Sequence, residues 1–174
     1  MRYLFSLLLA ILFTFLPHAS EGEQYRDSTH GFTIDFPAGW TVSGPLSDKS
    51  IIIKAKRFGK TGGTIAQVIV RGGVYIGENS IQDLSPQELF DSTIGDKGML
   101  VDSGFETIGG KRIPWLKVVF RQSRFLKTAN SCGVFYFIVQ GSRFYQVEGI
   151  TMGGSGSWFV ENEASMRNAI RSFR

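Results

Sequence analysis

Apolar side chains recur along this chain with two spacings, and the change from one to the other marks out the elements. Alternation comes first. In residues 30–42, HGFTIDFPAGWTV, Phe32, Ile34 and Phe36 face one way while Thr33 and Asp35 face the other, which predicts a half-buried strand. Pro37 has no N–H to give to a ladder and ends the strand. Ala38 and Gly39 turn the chain, and Trp40 returns as a plug for the core. Two β-branched alternating runs follow, 50–57 (SIIIKAKR) and 64–71 (TIAQVIVR), and the glycine-rich FGKTGG between them predicts a hairpin loop. Later, 100–107 predicts a short strand, GGKR at 109–112 a turn, and IPWLKVVFR at 113–121 a strand with Leu116, Val118 and Phe120 on one face. Residues 132–140, CGVFYFIVQ, are apolar on both faces, as a central strand covered on each side must be. Gly141-Ser142 joins this run to RFYQVEGI at 143–150 through the Gly-X link of a type II′ hairpin.

The other spacing is helical. LSPQELFDSTIGDK, 84–97, carries Ser85 as N-cap, Pro86 at the first helical position and Glu88 to complete a capping box, with Leu84 and Leu89 placed as a hydrophobic staple. Gly95 weakens its interior and Gly98 is the expected stop. A final helix from about residue 158 repeats Phe159, Met166, Ile170 and Phe173 on one face. Hairpin-linked strands interrupted by one helix and closed by another predict an α+β fold, a central antiparallel β-sheet flanked by helices in an α/β/α sandwich.

Residues 1–20, MRYLFSLLLAILFTFLPHAS, stand apart from this pattern. Arg2, the apolar run Tyr3 to Leu16 and the small residues Ala19 and Ser20 have the layout of a secretory signal peptide. The run is shorter than the ~20 residues a spanning helix needs, although an uncleaved anchor is the alternative. Cleavage after Ala19, Ser20 or Gly22 would leave residues 23–174 as one domain, exported to a periplasmic or extracellular space and soluble there. The chain has 19 Lys and Arg against 15 Asp and Glu; the leader removes only Arg2, so the domain stands near +3. That excess suits anionic partners and falls short of a dedicated nucleic-acid binder. Cys132 is the single cysteine, so no internal disulfide forms, and its place at the start of an apolar strand predicts a buried, inert thiol.

GFTIDFPAGW early in such a chain, with SPQELF in the middle and AIRSF at the end, resembles the PsbP-like domains. These are grouped with DcrB-type periplasmic proteins and with a Ran-binding nuclear import factor. The resemblance implies the sandwich fold and a non-catalytic role: accessory subunits, chaperones for apolar helices and GTPase-binding factors that dock on another protein. DcrB-type proteins carry a lipid-acceptor cysteine after the signal, and this chain has none. No metal-binding position of the photosynthetic members maps onto particular residues here.

Catalytic chemistry finds few candidates. After the leader, His30 is the remaining histidine, in DSTHGF beside Asp27 and Ser28, where Asp and Ser cap local backbone more often than they catalyse. GGSGSW departs from the nucleophile-elbow pattern because Ser157 replaces its last glycine. GKT at 59–61 lacks the phosphate-loop glycine, since Lys54 stands there. No spacing of His, Cys, Asp or Glu predicts zinc or calcium, and no cofactor is expected. Two binding sites remain. The loop RQSRFLKTAN, 121–130, sets Arg121, Arg124 and Lys127 around Phe125 and Leu126, a composition that grips an acidic, partly apolar protein or a membrane surface. Alternatively Phe125 and Leu126 fold back over a sheet edge. The loop Gly153, Gly154, Ser155, Gly156 and Ser157, just before a helix, could receive an anion, or could simply supply Ser155 or Ser157 as N-cap. For the basic residues at 54–60 and for Arg167, Arg171 and Arg174, a solvated outer face explains the pattern as well as binding does. The function that fits is an exported, non-enzymatic protein that docks on a protein partner. The alternatives are a carrier for an apolar or anionic small molecule and, more remotely, a hydrolase.

Overall fold

A computed structural model describes residues 22–44, 46, 50–74, 81–120, 131–152 and 156–174, with backbone alone at 73, 74, 82 and 156–158. Its strands are β1 (Glu23–Asp27), β2 (Phe32–Phe36), β3 (Thr41–Ser43), β4 (Ile51–Phe58), β5 (Thr64–Val74), β6 (Gly98–Ile108), β7 (Lys111–Phe120), β8 (Cys132–Gln140) and β9 (Arg143–Thr151). Its helices are α1 (Pro86–Thr93) and α2 (Gly156–Arg171). Seven strands form one antiparallel sheet in the order β3-β4-β5-β9-β8-β7-β6, and β1 and β2 pair as a separate hairpin. α2 packs against β9, β5, β8 and β2, and α1 against β7 and β6. The α+β sandwich expected from the sequence is the fold observed.

Register explains which side chains meet. One row across the sheet runs Ile53, Val70, Val147, Tyr136, Trp115, and its neighbour on the same face runs Ala55, Val68, Gly149, Val134, Lys117. These rows form the floor under α2, whose Phe159, Met166, Ala169, Ile170 and Phe173 are all buried on them. The hairpin closes the same core: Phe32, Ile34 and Phe36 turn inward as their alternation predicts, and Trp40 is buried beside them. The other face carries Leu116, Val118, Phe135 and Phe137 beneath Leu89, Phe90 and Ile94. β8 is therefore apolar on both sides because both sides are covered.

Local signals are realised with small shifts. The capping box is complete: Ser85 Oγ accepts from the Glu88 N–H at 3.2 Å, and Glu88 accepts from the Ser85 N–H at 2.7 Å. The helix stops earlier than the sequence suggests. Gly95, at φ 53°, takes the left-handed conformation that ends helices, so Gly98 is free to open β6 in extended backbone. Gly141 at φ 61° followed by a residue of ordinary φ makes the β8–β9 link the expected II′ turn. The final helix begins at Gly156, which places Ser157 inside the first turn and not at its cap. Periodicity missed β1, whose pattern of exposure is irregular and whose order comes from pairing with β2, and also the three-residue β3, which pairs with β4.

Candidate functional site

The leader, the cationic loop with Arg121, Arg124, Phe125, Leu126 and Lys127, and Gly153, Gly154 and Ser155 lie outside the described residues. Among those described, the groups that could do chemistry gather in three places.

The first is the β1–β2 turn. Asp27 Oδ1 accepts the His30 backbone N–H at 2.8 Å, and Oδ2 accepts from the His30 ring at 3.0 Å and the Tyr25 hydroxyl at 3.3 Å. Burial alone would raise the Asp27 carboxyl, but the donors from His30 outweigh it and hold the group below its usual range. With the carboxylate ionised, His30 Nδ1 bears the proton and Nε2 is left as the ring's remaining polar atom. No hydrogen bond joins Ser28 to His30 among the described residues. The trio is a capped turn, further tied down by Arg143 Nη1 on the Thr29 carbonyl at 2.8 Å and by the Tyr145 hydroxyl on the His30 carbonyl.

Two cavities share the turn residues Arg26, Asp27 and Ser28. One, of about 550 Å³, is lined by the turn residues 25–30 with Leu46, Ile51 and Ile52. Its apolar side coincides with a slip of the β4–β5 register between Ile51 and Ile53, where three consecutive isoleucines, 51–53, are all buried and Ile51 and Ile52 line the cavity. The other, of about 380 Å³, is lined by Arg26, Asp27, Ser28, Gly31, Phe32, Thr33 and Arg174. Arg174 is held there by a two-way backbone pairing with Thr33 at 2.7 and 3.1 Å and by Asp35 Oδ2 at 3.1 Å. Arg26 takes part in no ion pair of the described residues.

The second place is a polar seam beside α2. The Tyr136 hydroxyl donates to Glu106 Oε2 at 2.7 Å and accepts from Arg167 Nη1 at 2.6 Å, while Arg171 pairs with the other oxygen of Glu106. Glu163 takes Arg167 at 2.9 Å and Lys117 at 2.8 Å, and the Arg167 guanidinium lies 4.4 Å over the Trp115 ring. Burial and the bond to Glu106 push the Tyr136 hydroxyl well above its ordinary value. Arg167 is thus a largely enclosed structural clamp and not the solvated group that the sequence suggests, while Arg171 pairs with Glu106 from an exposed position. Helical spacing alone does not show that Tyr136 and Glu106, on β8 and β6, rise to meet them.

The third is Glu148, nearly inaccessible on the other face, with Arg71 Nε at 2.6 Å and Gln146 at 3.0 Å. Burial pushes its carboxyl up despite the guanidinium. Cys132 is half-buried against the α2 side rather than fully enclosed, and burial raises its thiol as well. No group of three His, Cys, Asp or Glu among the described residues could hold a metal ion. No described helix is long and apolar enough to cross a membrane.

No protein-family model matches the sequence, and comparison with curated protein sequences returns no match. Solved structures do match. The cyanobacterial PsbP protein CyanoP of Synechocystis sp. PCC 6803 superposes with a TM-score of 0.61 over 89% of this chain and 92% of its own, at 10% identity. This chain has the PsbP/Mog1-like fold. The Ran-binding protein Mog1p of Saccharomyces cerevisiae matches at 0.58, over 88% of this chain and 95% of its own, again at 10% identity. A Bacteroides thetaiotaomicron protein matches at 0.54 and 14% identity, over 88% of this chain but 48% of its own. At such identities the PsbP/Mog1-like likeness speaks for the architecture and leaves site residues to be argued from this chain.

Proposed function

We propose that this protein is an exported, non-catalytic accessory module that docks on a protein partner. The observation that carries the reading is the match of nearly the whole chain to a PsbP protein and to a Ran-binding protein of the same fold. The leader-like residues 1–20 support export, and the net charge of +4 supports an acidic partner. The engagement of the reactive groups fits the same view: Asp27 and His30 serve a turn, and Tyr136, Glu106, Arg167 and Glu163 hold α2 to the sheet.

The docking surface this reading puts forward is the 121–130 loop, where Phe125 and Leu126 supply contact area and Arg121, Arg124 and Lys127 supply charge. Immobilised protein should capture one partner reproducibly from an envelope extract, and Arg124→Glu with Phe125→Ser should weaken that capture at least tenfold without lowering the unfolding temperature. Unchanged capture by the double variant would remove the loop from the interface. A large loss of stability would instead make Phe125 a core residue. No reproducible partner in the extract would defeat the docking reading itself.

A further inference from the structure

The two cavities that share the β1–β2 turn differ in chemistry, and the difference has a direction. The larger has the side chains of Ile51 and Ile52 on one side and Tyr25 and the polar turn on the other. The smaller is lined by Arg26 and Arg174 together with Ser28 and Thr33, whose hydroxyl donates to the Arg174 carbonyl at 3.4 Å. Asp27 is the carboxylate common to both, and three donors already converge on it, so its lone pairs are turned into the turn. Arg174 Nη1 donates to Asp35 Oδ2 at 3.1 Å and to the Ser172 carbonyl at 3.0 Å, and Asp35 also takes Gln24 at 2.7 Å. Arg26, exposed and outside every described ion pair, lines both cavities.

The geometry points to a binding site for a single-chain amphiphile with an anionic phosphate-type head. The head lies between Arg26 and Arg174, where planar, multi-donor groups match phosphate oxygens better than a point charge would. The apolar chain passes beside Arg26 into the larger cavity and covers Ile51 and Ile52. The size of that cavity falls within the ~300–1,000 Å³ usual for small-molecule sites, and Leu46, Ile51 and Ile52 give it an apolar side against the polar turn. Ile51 belongs to neither of the two apolar clusters, although it is buried, so its side chain is available to a ligand without being a keystone of the fold. This site shares no residue with the 121–130 loop, so failure of one proposal leaves the other standing.

The test is a calorimetric titration of the full-length protein with decyl phosphate below its micelle concentration, with decanol and inorganic phosphate as the two half-ligands. One saturable site for decyl phosphate is expected, with weaker binding of decanol and competition by inorganic phosphate. Arg26→Ala and Arg174→Ala should each weaken decyl phosphate by roughly tenfold to a hundredfold, the scale of a charge-assisted hydrogen bond, while decanol is unaffected. Ile51→Ser should weaken decyl phosphate and decanol together and leave inorganic phosphate unchanged. Arg26 is exposed and Arg174 is more than half exposed, so both variants should keep the parent's unfolding temperature. Equal affinity for decanol and decyl phosphate would overturn the anionic head. Indifference to both arginine substitutions, or the lack of any saturable site, would overturn the whole proposal.

Discussion

The two faces of the sheet are built differently. Beneath α2 the floor is almost wholly apolar, and its polar groups stand at the margin, where Tyr136, Glu106, Arg167 and Glu163 satisfy one another. Beneath α1 the fully buried sheet residues of the apolar cluster come from β8 and β7, with Leu100, Phe144 and Ile150 half-buried around them, and the row that begins with Leu116 and Phe135 continues into Glu148, Ile69 and Lys54. One face is a long helix on aliphatic and aromatic side chains, and the other sets a two-turn helix beside a buried carboxylate. The lesson is that a sheet of this fold can carry its stability on one side. The other side is left to tolerate a charged group whose desolvation works against it.

The largest effect should come from the α2 face. Met166, fully buried over Gly149, should lose about 2–5 kcal/mol on change to Ala, because glycine has no side chain to fill the space left. Chemical denaturation measures this directly, and a loss below about 1 kcal/mol would mean that the face is not the main support. Next is Arg71→Met, which leaves Glu148 buried without its guanidinium and should cost roughly 3 kcal/mol at neutral pH.

That second change also predicts a pH signature. Glu148 has a folded-state pKa above its unfolded value, so the folded protein binds the proton more tightly. The cost of ionisation is fully present above the folded pKa, and it vanishes below the unfolded carboxylate value near ~4.3. Lowering the pH through that window should therefore recover stability in Arg71→Met more than in the parent or in Met166→Ala. Parallel pH profiles in all three would show that the two faces do not differ electrostatically. The smallest effect belongs to the short helix: Ser85→Ala removes one half of a capping box and should cost about 1 kcal/mol, read as a modest shift in the denaturation midpoint.

Much of this was legible from residue order. The alternation of Phe32, Ile34 and Phe36, the box Ser85–Glu88, the Gly141-Ser142 turn and the apolar stripe of the last helix are local patterns, and each appears where its pattern puts it. The misses have local causes too. Gly95 ends α1 because its left-handed backbone is a stop signal as strong as any residue further on. The pairing of Arg167 and Arg171 was not legible because the groups that hold them, Tyr136 and Glu106, are more than thirty and sixty residues away in sequence.

Periodicity, caps and turns thus determined the elements of this protein and the face each one buries, since those depend on neighbours within a few residues. Strand order was decided by tertiary structure alone: β9 lies between β5 and β8, and this brings Glu148 to Phe135 and Ile69. The cavities about the β1–β2 turn were likewise invisible beforehand. Arg26 and Arg174 stand at opposite ends of the domain's sequence and share a cavity only because the last residue pairs with Thr33 of β2. Proximity of distant charges follows from how the layers close, and no window of sequence contains that information.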